Sequence, residues 1–276
     1  MQVQELPGEV ELSLDDDFSA EKIFECGQCF RWNREEDGAY IGVAMGKVTR
    51  IRQEKNKIFI AGTMEDFQKI WYNYFDLDRD YAAIRQKLCI DDYMRKAAEY
   101  GKGIRILNQD RWETLCSFII SQCNNIPRIK KIVEALCRTF GNKIFFEGDV
   151  YYTFPEAQVL AGKSIEDLAP LRCGYRAPYI LDAARRVAEG SLNLEELACG
   201  DLESAREGLR SIRGVGEKVA NCAILFSLRK LEAFPVDVWM KRAIAEHYGK
   251  DFDPQIFGSY AGIAQQYMFY YQREEA

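Results

Sequence analysis

The chain has 276 residues, 47% of them hydrophobic, a formal net charge of −6 and one histidine. That length suits one large unit or two packed ones with sizeable cores, and the lone His247 argues against a Ser-His or Cys-His hydrolase and against a multi-histidine metal site. Nine irregularly spaced cysteines favour free thiols over a disulfide framework, and no apolar run is long enough to span a membrane.

Residues 9 to 62 read as strands. Val10-Glu-Leu-Ser-Leu14 alternates apolar and polar residues, as Lys57-Ile-Phe-Ile60 does in part, with turn signals at Glu36-Asp-Gly38 and Glu54-Lys-Asn56. This predicts an antiparallel sheet of several hairpins. Cys26-Gly-Gln-Cys29 has the spacing of a metal or redox pair, but a zinc site needs a second pair and a thioredoxin-like site needs a βαβ context. Two ordinary thiols at a strand turn are therefore expected. Gly27 is open to two readings: a bulge, or a place where a backbone carbonyl approaches a ligand.

From Met64 the period changes to that of helices, with Phe67, Ile70, Trp71 and Tyr74 on one face, then Tyr81, Ile84 and Leu88 on another. A break at Ala97-Ala-Glu-Tyr-Gly-Lys-Gly103 divides an α+β N-terminal domain, residues 1–100, from an all-α domain, residues 101–276. Arg111 to Gln122 reads as a buried central helix. It ends at Cys123-Asn-Asn125, and Pro127 starts the next helix; the asparagines read as caps or as exposed donors. Leu171-Arg-Cys-Gly-Tyr-Arg-Ala-Pro-Tyr179 is a glycine turn into a helix, where Tyr175 and Arg176 are either solvated or placed for stacking and forked hydrogen bonding.

The stretch Leu209-Arg-Ser-Ile-Arg-Gly-Val-Gly-Glu-Lys-Val-Ala-Asn-Cys222 reads as helix, glycine hairpin, helix. Gly214 and Gly216 supply the tight turn, and the bare N–H groups that open the second helix suit a phosphate. Lys218 lies in that helix's first turn, where the dipole disfavours an ammonium ion; a readily neutral lysine is a nucleophile for Schiff-base chemistry. Downstream, Phe234-Pro-Val-Asp237 breaks the chain, and Asp237 caps a helix running to about Tyr248. Lys218 and Asp237 are expected to face one cleft. The last helix carries Gln265 and Phe269, which by pattern alone read as core.

These segments together resemble the helix-hairpin-helix-GPD superfamily of base-excision DNA glycosylases, most closely its 8-oxoguanine-removing branch. The resemblance rests on the hairpin with Lys218 and Asp237, Gly27-Gln-Cys-Phe-Arg-Trp32, Ser117-Phe-Ile-Ile-Ser-Gln-Cys-Asn-Asn-Ile-Pro-Arg-Ile129, Gly174-Tyr-Arg-Ala177 and Gly262-Ile-Ala-Gln-Gln-Tyr-Met-Phe269, in the family's order over nearly the whole chain. It implies a bifunctional glycosylase/AP lyase acting on double-stranded DNA that contains 8-oxoguanine. Lys218 would be the nucleophile and Asp237 its electrostatic partner. The Gly27 carbonyl would accept the hydrogen on N7 of the lesion, Cys222 and Phe269 would sandwich the base, and Gln265 would bond its pairing edge.

By the same resemblance, Asn124, Asn125 and Arg128 meet the estranged cytosine, Tyr175 wedges into the stack, and Arg176 bonds that cytosine. Cys123 departs from the asparagine common in the family, which puts opposite-base discrimination in question. The resemblance also implies a monovalent cation on the backbone carbonyls of Arg210, Ile212 and Val215. No other cofactor is expected, and the iron–sulfur cluster of some relatives is not, since no cysteine follows Cys222. The negative charge argues mildly against a nucleic-acid partner, though a local basic face can bind DNA within an acidic protein. A monomer is expected, in the cytoplasm or nucleoid of a prokaryotic cell, since Met1-Gln-Val-Gln-Glu-Leu6 carries no charged-then-apolar leader. Two alternatives remain: a glycosylase for another oxidised base, and a non-catalytic DNA-binding protein that reuses the hairpin.

Overall fold

The computed structural model describes residues 1–14 and 17–275. Six strands form one antiparallel sheet: β1 (Gln2–Leu6), β2 (Glu9–Ser13), β3 (Trp32–Arg34), β4 (Tyr40–Ala44), β5 (Lys47–Glu54) and β6 (Lys57–Ala61), in the spatial order β1-β2-β6-β5-β4-β3. The alternation at Val10 and Leu12 sets the register. Val10 opposes Ile60 and Leu12 opposes Ile58, and all four are buried on one face.

The sheet starts earlier than the sequence pattern predicts. Strand β1 lies at the edge and is almost wholly exposed, so no apolar alternation marks it. Within the predicted strand region there is also a helix, Ala20–Glu25, with Ser19 as N-cap. It buries Ile23 and Phe24, and Phe24 stacks on Trp32 at 4.1 Å. The Cys26–Cys29 turn therefore follows a helix rather than a strand. Both thiols are buried, and burial pushes Cys26 up to about 12, which makes them inert packing groups.

The described residues form two cores. One lies under the sheet and includes Phe67, Trp71 and Tyr74 from the first helical stretch. The other belongs to the helical half, and the helices Tyr81–Leu88 and Asp92–Tyr100 bury Ile84, Leu88, Met94 and Ala97 in it. A division at residue 100 groups these two helices with the sheet by sequence, while their apolar faces pack with the helices that follow. Gln28 stitches the halves together. Its amide nitrogen donates to the Ile23 and Arg105 carbonyls, and its oxygen accepts from Leu107 N–H, each at 2.9 Å.

The helical half is built on Arg111–Ser121, Ile126–Phe140, Ala177–Ala188, Leu202–Arg210, Glu217–Ser227, Val238–His247 and Ala261–Glu275. The first is central, with every residue from Thr114 to Ile120 buried. A hairpin of β7 (Lys143–Phe146) and β8 (Asp149–Tyr152) interrupts the helices. The sequence does not announce it, because neither four-residue strand has a buried face. His247 stacks on Tyr93 at 3.8 Å and is a packing residue. No helix of the described residues is long and apolar enough to cross a membrane.

Candidate active site

The hairpin is held from below. Gly214 has φ +78°, and a Cβ there would stand 2.4 Å from the Tyr179 ring, so only glycine fits. Asp182 accepts from Arg213 N–H at 2.9 Å, which fixes the turn to the helix Ala177–Ala188. Ile212 and Val215 are buried, while Arg210 and Arg213 are exposed. Gly216 opens the helix Glu217–Ser227 without a side-chain cap. The first-turn N–H groups are left for an outside acceptor such as a phosphate oxygen.

Lys218 is half-buried one turn from Cys222. Its Nζ lies 5.3 Å from the Phe118 ring centre, makes a long contact, 3.5 Å, to Ser121 Oγ, and bonds to the Cys222 thiol. It forms no ion pair among the described residues. Beneath it, Phe118 stacks on Phe226 at 5.4 Å and meets Phe30 edge-on at 5.5 Å. Asp237 is half-buried and N-caps Val238–His247, accepting from Met240 N–H at 2.9 Å. Both groups act on the Cys222 thiol. Burial raises its pKa, the Lys218 cation pulls it down, and the Asp237 carboxylate pushes it up. Lys218 and Asp237 are thus both near enough to Cys222 to act on its thiol.

A second cluster forms around Gly27, which has φ +82°. A Cβ there would lie 3.4 Å from Phe269 Cε1 and 3.7 Å from Ile126 Cδ1. The flanking carbonyls are committed: Cys26 O accepts from Gln266 Nε2 at 2.7 Å and Gln28 O from Gln109 Nε2 at 2.8 Å. Gly27 O has no hydrogen bond among the described residues. Gln265 is 5% exposed, and its Oε1 has no partner there either. A carbonyl and an amide oxygen without partners among the described residues, with an aromatic ring beside the carbonyl's residue, suit a flat heterocycle that presents N–H donors.

A third cluster surrounds the end of Arg111–Ser121. Cys123 is exposed at φ +48°, a left-handed conformation in which asparagine is far more at home. Asn125 caps the next helix by accepting from Arg128 N–H at 3.0 Å, and Asn124 donates to Ile120 O at 3.2 Å. The cap reading is thus met at Asn125. Arg128 is exposed and has no side-chain partner among the described residues. Tyr175 is 52% exposed, its hydroxyl 3.2 Å from Gln122 O; a bond with the Cys123 thiol holds its proton more tightly than in an ordinary phenol.

Arg176 differs from expectation. It is buried, and its guanidinium donates to the carbonyls of Gln122 (2.8 Å from Nε), Cys173 (3.3 Å) and Cys123 (3.1 Å). Four of its five N–H donors bond to this loop, which positions Cys123. Sequence reasoning also missed Ser121 and Phe118 beside Lys218, and Gln266 and Gln109 beside Gly27. The adjacent pair Gln265-Gln266 was the available signal, since buried amides need partners.

Residues 11–115 match the profile of the 8-oxoguanine DNA glycosylase N-terminal domain, and residues 116–255 that of the HhH-GPD superfamily base excision DNA repair proteins. An N-glycosylase/DNA lyase of Saccharomyces cerevisiae is 34% identical over 82% of this chain and 67% of its own length. A probable N-glycosylase/DNA lyase of Methanothermobacter thermautotrophicus is 31% identical over 75% and 74%. The structure of Clostridium acetobutylicum 8-oxoguanine glycosylase/lyase, in complex with double-stranded DNA containing cytosine opposite 8-oxoguanine, superposes with a TM-score of 0.95 at 39% identity, covering 100% of this chain and 98% of that one. The glycine hairpin and these matches lead to one assignment: the chain belongs to the HhH-GPD superfamily of base excision DNA repair proteins.

Proposed function

We propose that the protein is a bifunctional glycosylase/AP lyase that everts 8-oxoguanine from duplex DNA and excises it. The observation that carries this is Lys218 in the first turn after the glycine hairpin, its amine 3.5 Å from Ser121 Oγ and without an ion pair among the described residues; binding a phosphate backbone does not require a lysine held in this way. Eversion costs a few kcal/mol. The hairpin N–H groups from Gly216 onward hold the backbone, Tyr175 fills the gap, and Asn124, Asn125 and Arg128 meet the orphaned cytosine. Hairpin carbonyls of Arg210, Ile212 and Val215 would hold a monovalent cation. Ile212 O already accepts from Val215 N–H at 3.1 Å, but a carbonyl oxygen has a second lone pair and suits a hard cation. Such an ion would add positive charge at the phosphates.

In the cleft the base lies between Phe269 and Cys222, Gly27 O accepts its N7–H, and Gln265 Oε1 accepts from its pairing edge. The Lys218 amine attacks C1′ while the C1′–N9 bond breaks. Asp237 stabilises the cation developing on the sugar, the kind of preorganised electrostatics that contributes most to enzyme catalysis. Ring opening gives a Schiff base, and β-elimination then breaks the C3′–O bond. The activity would be exerted on DNA inside a prokaryotic cell by a monomer.

Borohydride trapping on a duplex with one 8-oxoguanine opposite cytosine tests this. An adduct with the intact protein that vanishes in Lys218→Gln is expected. Binding without an adduct would favour a non-catalytic hairpin protein, and an adduct only on an oxidised-pyrimidine duplex would overturn the substrate.

A further inference from the structure

One side chain at the rim of the Gly27 pocket has no role so far. Arg273 follows Phe269 by one turn and Gln265 by two on the last helix, so the three share a face. Its guanidinium centre lies 5.6 Å from the Phe269 ring and 5.5 Å from that of Tyr270. Nη2 donates to the Glu25 carbonyl at 2.8 Å, two residues before Gly27. Glu274 accepts from Nε at 2.9 Å and from Nη2 at 2.6 Å. Nη1 points elsewhere: it lies 3.7 Å from the Cβ position of Gly27, is buried, and has no partner among the described residues. A buried charged donor without a partner is costly, and here the vacancy adjoins the place where the lesion is read.

8-Oxoguanine differs from guanine along one edge. It carries an N7–H donor beside a C8=O acceptor, whereas guanine carries an N7 acceptor beside a C–H. Gly27 supplies a carbonyl acceptor, and Arg273 Nη1 supplies a donor next to it. We infer that Arg273 is a second reader of the lesion edge, donating from Nη1 to the C8 oxygen while Gly27 O accepts from N7–H. The other two nitrogens, fixed on Glu25 O and Glu274, aim the third. This rests on the excision activity proposed above and adds a specificity-determining residue to it.

The test measures duplex affinity in the Lys218→Gln background, so that no chemistry intervenes, on three duplexes: 8-oxoguanine opposite cytosine, guanine opposite cytosine, and a tetrahydrofuran abasic analogue. With Arg273→Met added, affinity for the 8-oxoguanine duplex should fall roughly ten- to a hundredfold, as for loss of a charged hydrogen bond. Affinity for the abasic duplex, which presents no base, should stay within about twofold. Arg273→Lys should fall between the two, since one ammonium cannot hold Glu25 O and the base together; it also serves if the Met variant does not fold. An unchanged preference for 8-oxoguanine over guanine in both variants, or an equal loss on the abasic duplex, overturns the assignment. If the Lys218→Gln parent itself shows no preference for 8-oxoguanine, the proposed substrate fails instead.

Discussion

Asp237 does two jobs that one atom swap separates. Its carboxylate caps Val238–His247 through Met240 N–H at 2.9 Å, and its charge acts on the Lys218–Cys222 cleft. Asparagine caps a helix about as well as aspartate but carries no charge. Asp237→Asn should therefore keep its stability within a few tenths of a kcal/mol, while Asp237→Ala loses about 1 kcal/mol from the cap. In a chain of this size that is a drop in Tm of roughly 2–4 °C. Both variants lose the negative charge opposite the developing sugar cation, so single-turnover excision should slow by on the order of 10²- to 10³-fold in each, the scale for one preorganised electrostatic group. The assays are urea or thermal denaturation and rapid-quench excision under enzyme excess. An Asn variant as unstable as the Ala variant would refute the capping role, and one that keeps the parent rate would refute the electrostatic role.

Other outcomes follow from particular contacts. Burial pushes Glu113, paired with Arg31 at 3.3 Å, from the ordinary 4.5 up to about 7. The fold thus holds the protonated form, and this contribution is full below pH 4.5 and is lost as pH rises through 7, by roughly 3 kcal/mol. Glu113→Gln should remove that slope between pH 5 and 7.5 in urea denaturation, and parallel curves for both proteins would refute it. Gly214→Ala forces a Cβ into the Tyr179 ring at φ +78°; it should cost at least 1–3 kcal/mol and abolish tight DNA binding, read by denaturation and fluorescence anisotropy. Cys123→Asn relieves φ +48° and should stabilise by about 0.5 kcal/mol while sharpening the preference for cytosine over the other opposite bases, measured by excision from four duplexes. A destabilised Asn variant would show that Cys123 is held there by its bond to Tyr175.

Much of the fold is legible in short stretches of the chain. Alternation at Val10 and Leu12 fixes which face of the sheet is buried, the apolar run from Leu115 to Ile120 fixes the central helix, and Gly214 with Gly216 fixes the hairpin. Those signals are local: a period, a turn residue, a cap. The same holds for Lys218 at a helix start and Asp237 at another. What a side chain does across the chain depends on partners that folding brings from far away in sequence. Arg176 turns inward because the carbonyls of Gln122 and Cys123 need donors, and these stand more than fifty residues away. Gln266 and Gln109 bond the carbonyls on either side of Gly27 and leave Gly27 O without a partner among the described residues. Strand β1 and the hairpin β7–β8 escape any periodic reading because neither has a buried face. Arg273 looks like a solvated arginine near the end of a helix until Glu25 and Gly27, some 250 residues earlier, come to lie beside it. Periodicity records burial along one element, whereas hydrogen-bond satisfaction is settled between elements.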